Sequence, residues 1–149
     1  MSITIRTPTD GDFFAWLGLY EGYATFYDVQ LTDERALLLW SWLSDTNHEE
    51  SVLVAADDGE LVGLVHFREF ARPLEADRSI AIDDLYVADD RRHLGVGQQL
   101  VDAVAERARA QGFGVVQWIT AADNDEAQKL YDKIADRTSW ITYEIDLKK

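Results

Sequence analysis

Residues 83–101, DDLYVADDRRHLGVGQQLV, pass from a strand-like run, through a doubled acid and a doubled arginine, into a glycine-spaced loop. A strand that ends in glycines and reopens as a helix presents several backbone N–H groups together with the positive end of a helix dipole, which suits a phosphate. Gly95 and Gly97 would let an anion approach the chain closely, although a lone pair of glycines also serves simply to turn it. A dinucleotide fingerprint requires a third small residue at position 100, where Leu100 stands, and a P-loop requires Gly-Lys-Ser/Thr, where Gly97 is followed by Gln98 and Gln99. Both common phosphate motifs therefore fail. Ahead of the loop, Asp83 and Asp84 are two consecutive carboxyls on a strand. Strand neighbours point to opposite faces, so only one of them faces a site unless a bulge intervenes. His66, in LVHFREF, carries an imidazole, a side-chain type suited to act as a base, against the alternative of a structural histidine in an alternating strand.

These groups need elements to position them, and periodicity supplies a sequence of ten. ITI near residue 4 reads as a first strand. A helix follows the capping-type Thr9, with Phe13, Trp16, Leu17 and Tyr20 at helical spacing, and a second follows Thr32 through DERALLLWSWL. SVLVAA and LVGLVHFREF flank Asp58-Gly59, a tight-turn dipeptide, and read as antiparallel neighbours joined in a hairpin. SIAIDDLYV is the next strand. The helix after the glycine loop places Leu100, Val101, Val104, Ala105 and Ala108 on one face and ends at Gly112. VVQWIT reads as a buried strand, DNDEAQKLYDKI as a capped helix and WITYEIDL as a final alternating strand. The predicted order is β-α-α-β-β-β-α-β-α-β, an α/β architecture with a mixed, mostly antiparallel sheet and about four helices.

Bulk composition narrows the function. With 149 residues and no linker, repeat or low-complexity tract, the chain reads as one domain, 1–149. No cysteine is present, which removes thiolate chemistry, disulfides and cysteine-based zinc sites, and no metal is expected. The N-terminus lacks a basic region followed by an apolar run and no stretch approaches the ~20 apolar residues of a membrane span, so a cytoplasmic location is expected. The 28 acids against 14 Lys and Arg give a formal charge of −14. Such a field repels nucleic acid and anionic membranes and attracts cationic small molecules or basic tails, besides solvating the surface.

Arg92-His93-Leu94-Gly95-Val96-Gly97 resembles the Arg/Gln-x-x-Gly-x-Gly/Ala pyrophosphate loop of the GCN5-related N-acetyltransferases. IDDLYV ahead of it is similar to that family's fourth strand, NDEAQKLYDK to its second signature, Asn-x-x-Ala-x-x-Leu-Tyr, and the element order to its fold over essentially the whole chain. YATFYDVQLTDE and KLYDK resemble the branch that acetylates polyamines, amino acids and basic protein tails. One departure stands out: the family continues Tyr-x-x-x-Gly-Phe after the last helix, whereas Tyr131 is followed here by DKIADR, so the final crossing is expected to be built differently.

The resemblance implies acetyl-CoA as cofactor and transfer of its acetyl group to a primary amine of a small cationic molecule or basic peptide. It implies main-chain groups of Leu85, Tyr86 and Val87 along the pantetheine arm, the loop Arg92, His93, Leu94, Gly95, Val96, Gly97 and Gln98 around the pyrophosphate, and Asn124 and Ala127 beside the arm. Tyr131 becomes a general acid, and Asp83, with Asp84 as rival, a proton acceptor acting directly or through water. Glu21, Tyr23, Tyr27 and Asp28, with His66, become candidate acceptor contacts, while Trp16 and Tyr20 read as packing. Asn124 is equally suited to capping its helix. A homodimer is compatible with these features. The other reading is a non-catalytic module that binds CoA or acyl-CoA.

Overall fold

The computed structural model describes residues 1–149. They form two compact units, Met1–Ile119 and Thr120–Lys149.

The first unit is built on a five-stranded sheet in the order β1-β2-β3-β4-β5, with β1 Ile3–Arg6, β2 Glu50–Asp57, β3 Glu60–Arg72, β4 Asp77–Val87 and β5 Val116–Gln117. All pairs are antiparallel except β4 and β5. The β2–β3 hairpin turns at Asp58 and Gly59, both with positive φ (53° and 90°), the geometry for which Asp-Gly is suited. Helix α1, Phe13–Phe26, is reached through a 3-10 turn at Asp10–Asp12 rather than starting at Thr9. Asp12 accepts from the Thr9 N–H at 2.7 Å and pairs with Arg6 at 2.7 Å, and the Arg6 guanidinium lowers its carboxyl to about 2. Helix α2, Asp33–Leu43, is capped by Thr32, whose Oγ1 accepts from the Arg35 N–H at 3.2 Å.

The two faces of the sheet carry different helices. Trp16 and Leu19 of α1 pack with Val52, Val54, Ala56, Leu61 and Leu64. Helix α3, Val96–Ala110, lies on the other face, where a β-carbon at Gly63 would come within 3.2 Å of Leu100 and 3.3 Å of Val96. Leu100 and Val104 are completely buried there. The helix stops at Gly112, whose φ of +73° lets the Phe113 N–H return to the Ala108 carbonyl.

In the second unit, α4, Asp125–Ile134, is the only regular element. The strand predicted over WITYEIDL does not form. Trp140, Ile141, Tyr143, Ile145 and Leu147 are 75–89% exposed. Alternation marks a face that a strand could bury, but a strand exists only through ladder partners, and this unit holds no other strand. The expected buried strand VVQWIT is likewise reduced to two residues, Val116 and Gln117.

Gly63 sets how closely α3 approaches the sheet. A β-carbon there would also lie 3.1 Å from the Tyr86 carbonyl on the paired strand, which cannot step aside as a side chain can. Gly63→Val is expected to lower unfolding free energy by about 1–3 kcal/mol in urea titration.

Candidate active site

Helices α1 and α2 leave open part of the sheet face they cover. The cavity there, about 410 Å³, is lined by Tyr20, Leu38, Trp42, Glu50, His66, Asp83 and Asp84 among others, with Arg35 as its one guanidinium. Three carboxyls from two strands converge on it, Glu50 from β2 and Asp83 and Asp84 from β4. That adjacent residues share one wall follows from a bulge. His66 pairs with Asp84 and Phe67 with Ile82, leaving Asp83 as an extra residue in β4.

Asp84 is tied from several sides. Its Oδ2 accepts from the Tyr20 hydroxyl at 2.8 Å and lies 2.8 Å from His66 Nδ1, with the Tyr23 hydroxyl also against the carboxyl. On the far side of the ring, Trp16 Nε1–H donates to His66 Nε2 at 3.0 Å. Trp16 is a donor only, so Nε2 must accept and the ring proton sits on Nδ1, donated to Asp84. Burial opposes ionisation of Asp84, but the hydrogen bonds from His66 and the tyrosines outweigh it and hold the carboxyl below its usual range. Burial and the Asp84 charge push the Tyr20 phenol well above its ordinary value.

Glu50 is the opposite case. Burial and the neighbouring Asp83 carboxyl push it up to about 8, while the Arg68 guanidinium acts in the other direction. Arg68 is the register partner of Glu50 on β3, and its Nε reaches Asp83 Oδ1 at 3.2 Å. The cavity thus holds one carboxyl kept ionised and another that titrates near neutrality.

Just beyond these acids, at its C-terminal end, β4 prepares a second feature. It pairs with β5 only at Ile80–Val116 and Ala81–Gln117, so the segment through Leu85, Tyr86 and Val87 pairs with β3 alone and keeps its other edge without a strand partner. The chain then turns through His93 (φ 64°) and Gly95 (φ 83°), the N-cap of α3. A side chain on Gly95 would meet nothing within 4 Å, so the approach to the helix start is open. The first turn of α3 carries no acid, although the chain has 28. Arg92 is held beside the loop by the Val87 carbonyl at 3.0 Å and Asp89 at 3.1 Å, with its guanidinium over Phe26 and Tyr86. An open helix start of 15 residues without local negative charge fits a pyrophosphate group.

The sequence-derived candidates therefore separate. Asp83, Asp84 and His66 come together, although both His66 nitrogens are engaged by protein groups. Tyr23 and Tyr27 lie in the ring stack that runs on from Trp16 and Tyr20, and Glu21 and Asp28 are exposed; none of the four lines the cavity. Tyr20, read as packing, does line it. Glu50, Arg35 and Trp42 were not singled out by the sequence. The only trace of Glu50 is its place two residues before Val52 on an alternating strand. In the second unit Asn124 caps α4, its Oδ1 accepting from the Ala127 N–H at 3.2 Å, and Tyr131 stands partly buried on the same helix.

The chain belongs to the Acetyltransferase (GNAT) family, whose profile matches residues 16–135. It is 28% identical over 143 residues to a D-amino-acid N-acetyltransferase of Saccharomyces cerevisiae, covering 95% of this chain and 89% of that protein. Over 66 residues it is 44% identical to an L-methionine sulfoximine/L-methionine sulfone acetyltransferase of Pseudomonas aeruginosa, 44% of this chain and 38% of the other. The solved structure of a ribosomal-protein-alanine N-acetyltransferase from Brucella melitensis biovar Abortus 2308 superposes with a TM-score of 0.81 at 25% identity, over 98% of this chain and 99% of that one. The protein is accordingly an acetyltransferase of the GNAT type that uses acetyl-CoA. No helix is long and apolar enough to cross a membrane.

Trp16→Phe preserves an aromatic ring but leaves the buried His66 Nε2 without its donor, and is expected to cost about 1–3 kcal/mol in urea unfolding at neutral pH. The folded pKa of Asp84 lies below its unfolded value of ~3.9, so its contribution to stability is complete above that pH and is lost as pH falls through the lower folded value. Asp84→Asn should therefore flatten the acid limb of the stability profile. At the loop, Gly95→Asp sets a carboxylate at the helix start and a side chain at φ 83°; calorimetry should show acetyl-CoA binding abolished with the far-UV spectrum retained.

Proposed function

We propose that this enzyme transfers the acetyl group of acetyl-CoA to the primary amine of a small acceptor that carries an ammonium group by direct attack on the thioester, with free amino acids as the first class to test. One observation carries the reading: a cavity of about 410 Å³ whose wall gathers Glu50, Asp83 and Asp84 beside the bulge in strand β4. Its volume suits a small molecule. The ionised Asp84 and the ring of Tyr20 favour an ammonium, and Arg35, on the same wall, is placed to meet a carboxylate. An amino acid carries both charges. The two relatives named as acting on amino acids or their analogues support this choice. The whole chain, 1–149, is read as one acetyltransferase domain, supported by a family match that runs across both units.

Bound acetyl-CoA supplies the activated acetyl group as a thioester. The start of α3 and Arg92 hold its pyrophosphate, and the unpaired edge at Leu85–Val87 offers main-chain groups to its arm. Asp84 orients the ammonium. Tyr131 Oη is assigned as proton donor to the leaving thiol. That assignment is supported by the Asn124, Ala127, Leu130, Tyr131 signature carried on α4. A phenol near ~10 is about 1.5 units weaker as an acid than an ordinary thiol at ~8.5, a gap that narrows where water is scarce and a bare thiolate is poorly stabilised.

Thiol release measured over a panel of amino acids, polyamines, basic peptides and anionic amines tests the reading. Turnover of cationic or zwitterionic amines is expected, with KM rising with ionic strength. Acetyl-CoA binding without turnover of any amine would instead leave the non-catalytic module. Tyr131→Phe should lower kcat by ~10²-fold while leaving acetyl-CoA affinity and Tm nearly unchanged; a wild-type rate removes Tyr131 from the chemistry.

A further inference from the structure

We propose that Glu50, paired with Asp83 across β3, is the proton acceptor for the incoming ammonium. This rests on the acetyltransferase reading above and names the group that does the deprotonation. Both carboxyls line the cavity, one from β2 and one from the bulge in β4, and Arg68 between them is the register partner of the first and touches the second at 3.2 Å.

The neighbouring groups are less suited to the task. Asp84 accepts from Tyr20 and His66 and is held below the ordinary carboxylate range, which makes it a stable anion and a poor proton acceptor. His66 has one nitrogen facing the Trp16 donor and the other facing Asp84, so it has no free lone pair to offer. The groups facing Glu50 and its cavity are Arg68 and His66 from β3, Asp83 and Asp84 from β4, Tyr20 from α1 and Arg35 from α2.

The energetics follow from proton affinity. A lysine-like ammonium at ~10.4 lies about 6 units above an ordinary glutamate at ~4.3, the α-ammonium of a peptide at ~8 lies almost 4 above it, and that of a free amino acid falls between the two. Burial and Asp83 place Glu50 at about 8. Against it, the first transfer is uphill by only about 2 units and the second is nearly level. In the step, an N–H bond of the ammonium breaks, an O–H bond forms on ionised Glu50, and the nitrogen keeps the electron pair it needs for attack. Glu50 afterwards returns its proton to solvent.

The competent form has Glu50 ionised, so kcat/KM should rise with pH through a limb that depends on this residue. The test compares wild type with Glu50→Gln over pH 6 to 10 using one acceptor found in the panel, so that the acceptor's own titration is common to both. A fall in kcat of ~10²-fold with loss of the Glu50 limb, at unchanged acetyl-CoA affinity and far-UV spectrum, supports the assignment. Infrared spectra of the free protein provide a readout independent of turnover: a protonated-carboxyl band should be present at pH 7 in wild type, fade through about 8 and be missing in Glu50→Gln. An active wild type whose Glu50→Gln variant keeps both rate and limb overturns this inference alone, as does a band that is unchanged by the substitution. A wild type that acetylates no amine overturns the acetyltransferase reading, and the proton-acceptor role with it.

Discussion

One additional residue in β4 organises the acidic wall. Without it Asp83 and Asp84 would point to opposite faces of the sheet, one toward α3 and one toward α1. Because Asp84 pairs with His66 while Ile82 already pairs with Phe67, Asp83 is released from the alternation and joins its neighbour on the cavity. The bulge separates two kinds of packing along one strand. Ile80 and Ile82 are buried in the core, whereas the residues beyond them hold the polar site and the free edge.

The bulge makes a second demand, since a carboxyl half-buried beside other acids must be compensated. Trp16, completely buried, provides the start of a chain of donors that passes through His66 to Asp84, while Tyr20, one turn later on α1, reaches the same carboxyl. The helix that closes the core thus also sets the charge of the site. Packing and chemistry are coupled through Trp16, whose ring stacks on Tyr20 with centroids 5.5 Å apart. Glu50 and Asp83 receive less compensation, with Arg68 as the nearby cation, and the result is a carboxyl poised close to neutral pH.

The chain also partitions its charge. In a protein with formal charge −14, the start of α3 carries no acid in its first turn, while Asp89 and Asp90 just before it are engaged by Arg92 and Arg91. Strand β4 thus passes the carboxyls of the cavity at its middle and ends ahead of a helix start without local acid, its last residues paired with β3 alone.

Local chemistry was legible in the sequence wherever neighbours along the chain decide the outcome. The Asp58-Gly59 turn, the Thr32 and Asn124 caps, the glycine loop ahead of α3 and the apolar face of that helix all follow from backbone preference and period, which act within a few residues. The two motifs in order were also enough to indicate the family. The acidic wall was not legible, because Glu50 and Asp83 are 33 positions apart and meet only through the register of three strands. Tyr20 was read as packing because helical spacing cannot tell a core aromatic from one whose hydroxyl reaches Asp84. WITYEIDL shows the limit from the other side: alternation specifies which residues a strand would bury, but only a partner edge makes a strand, and none lies in its unit. By itself, then, the sequence determined the elements whose signals are local and the loop that can hold a phosphate. Tertiary structure decided which carboxyls meet and which of them stays ionised, since both depend on strand register and burial, quantities that no single segment carries.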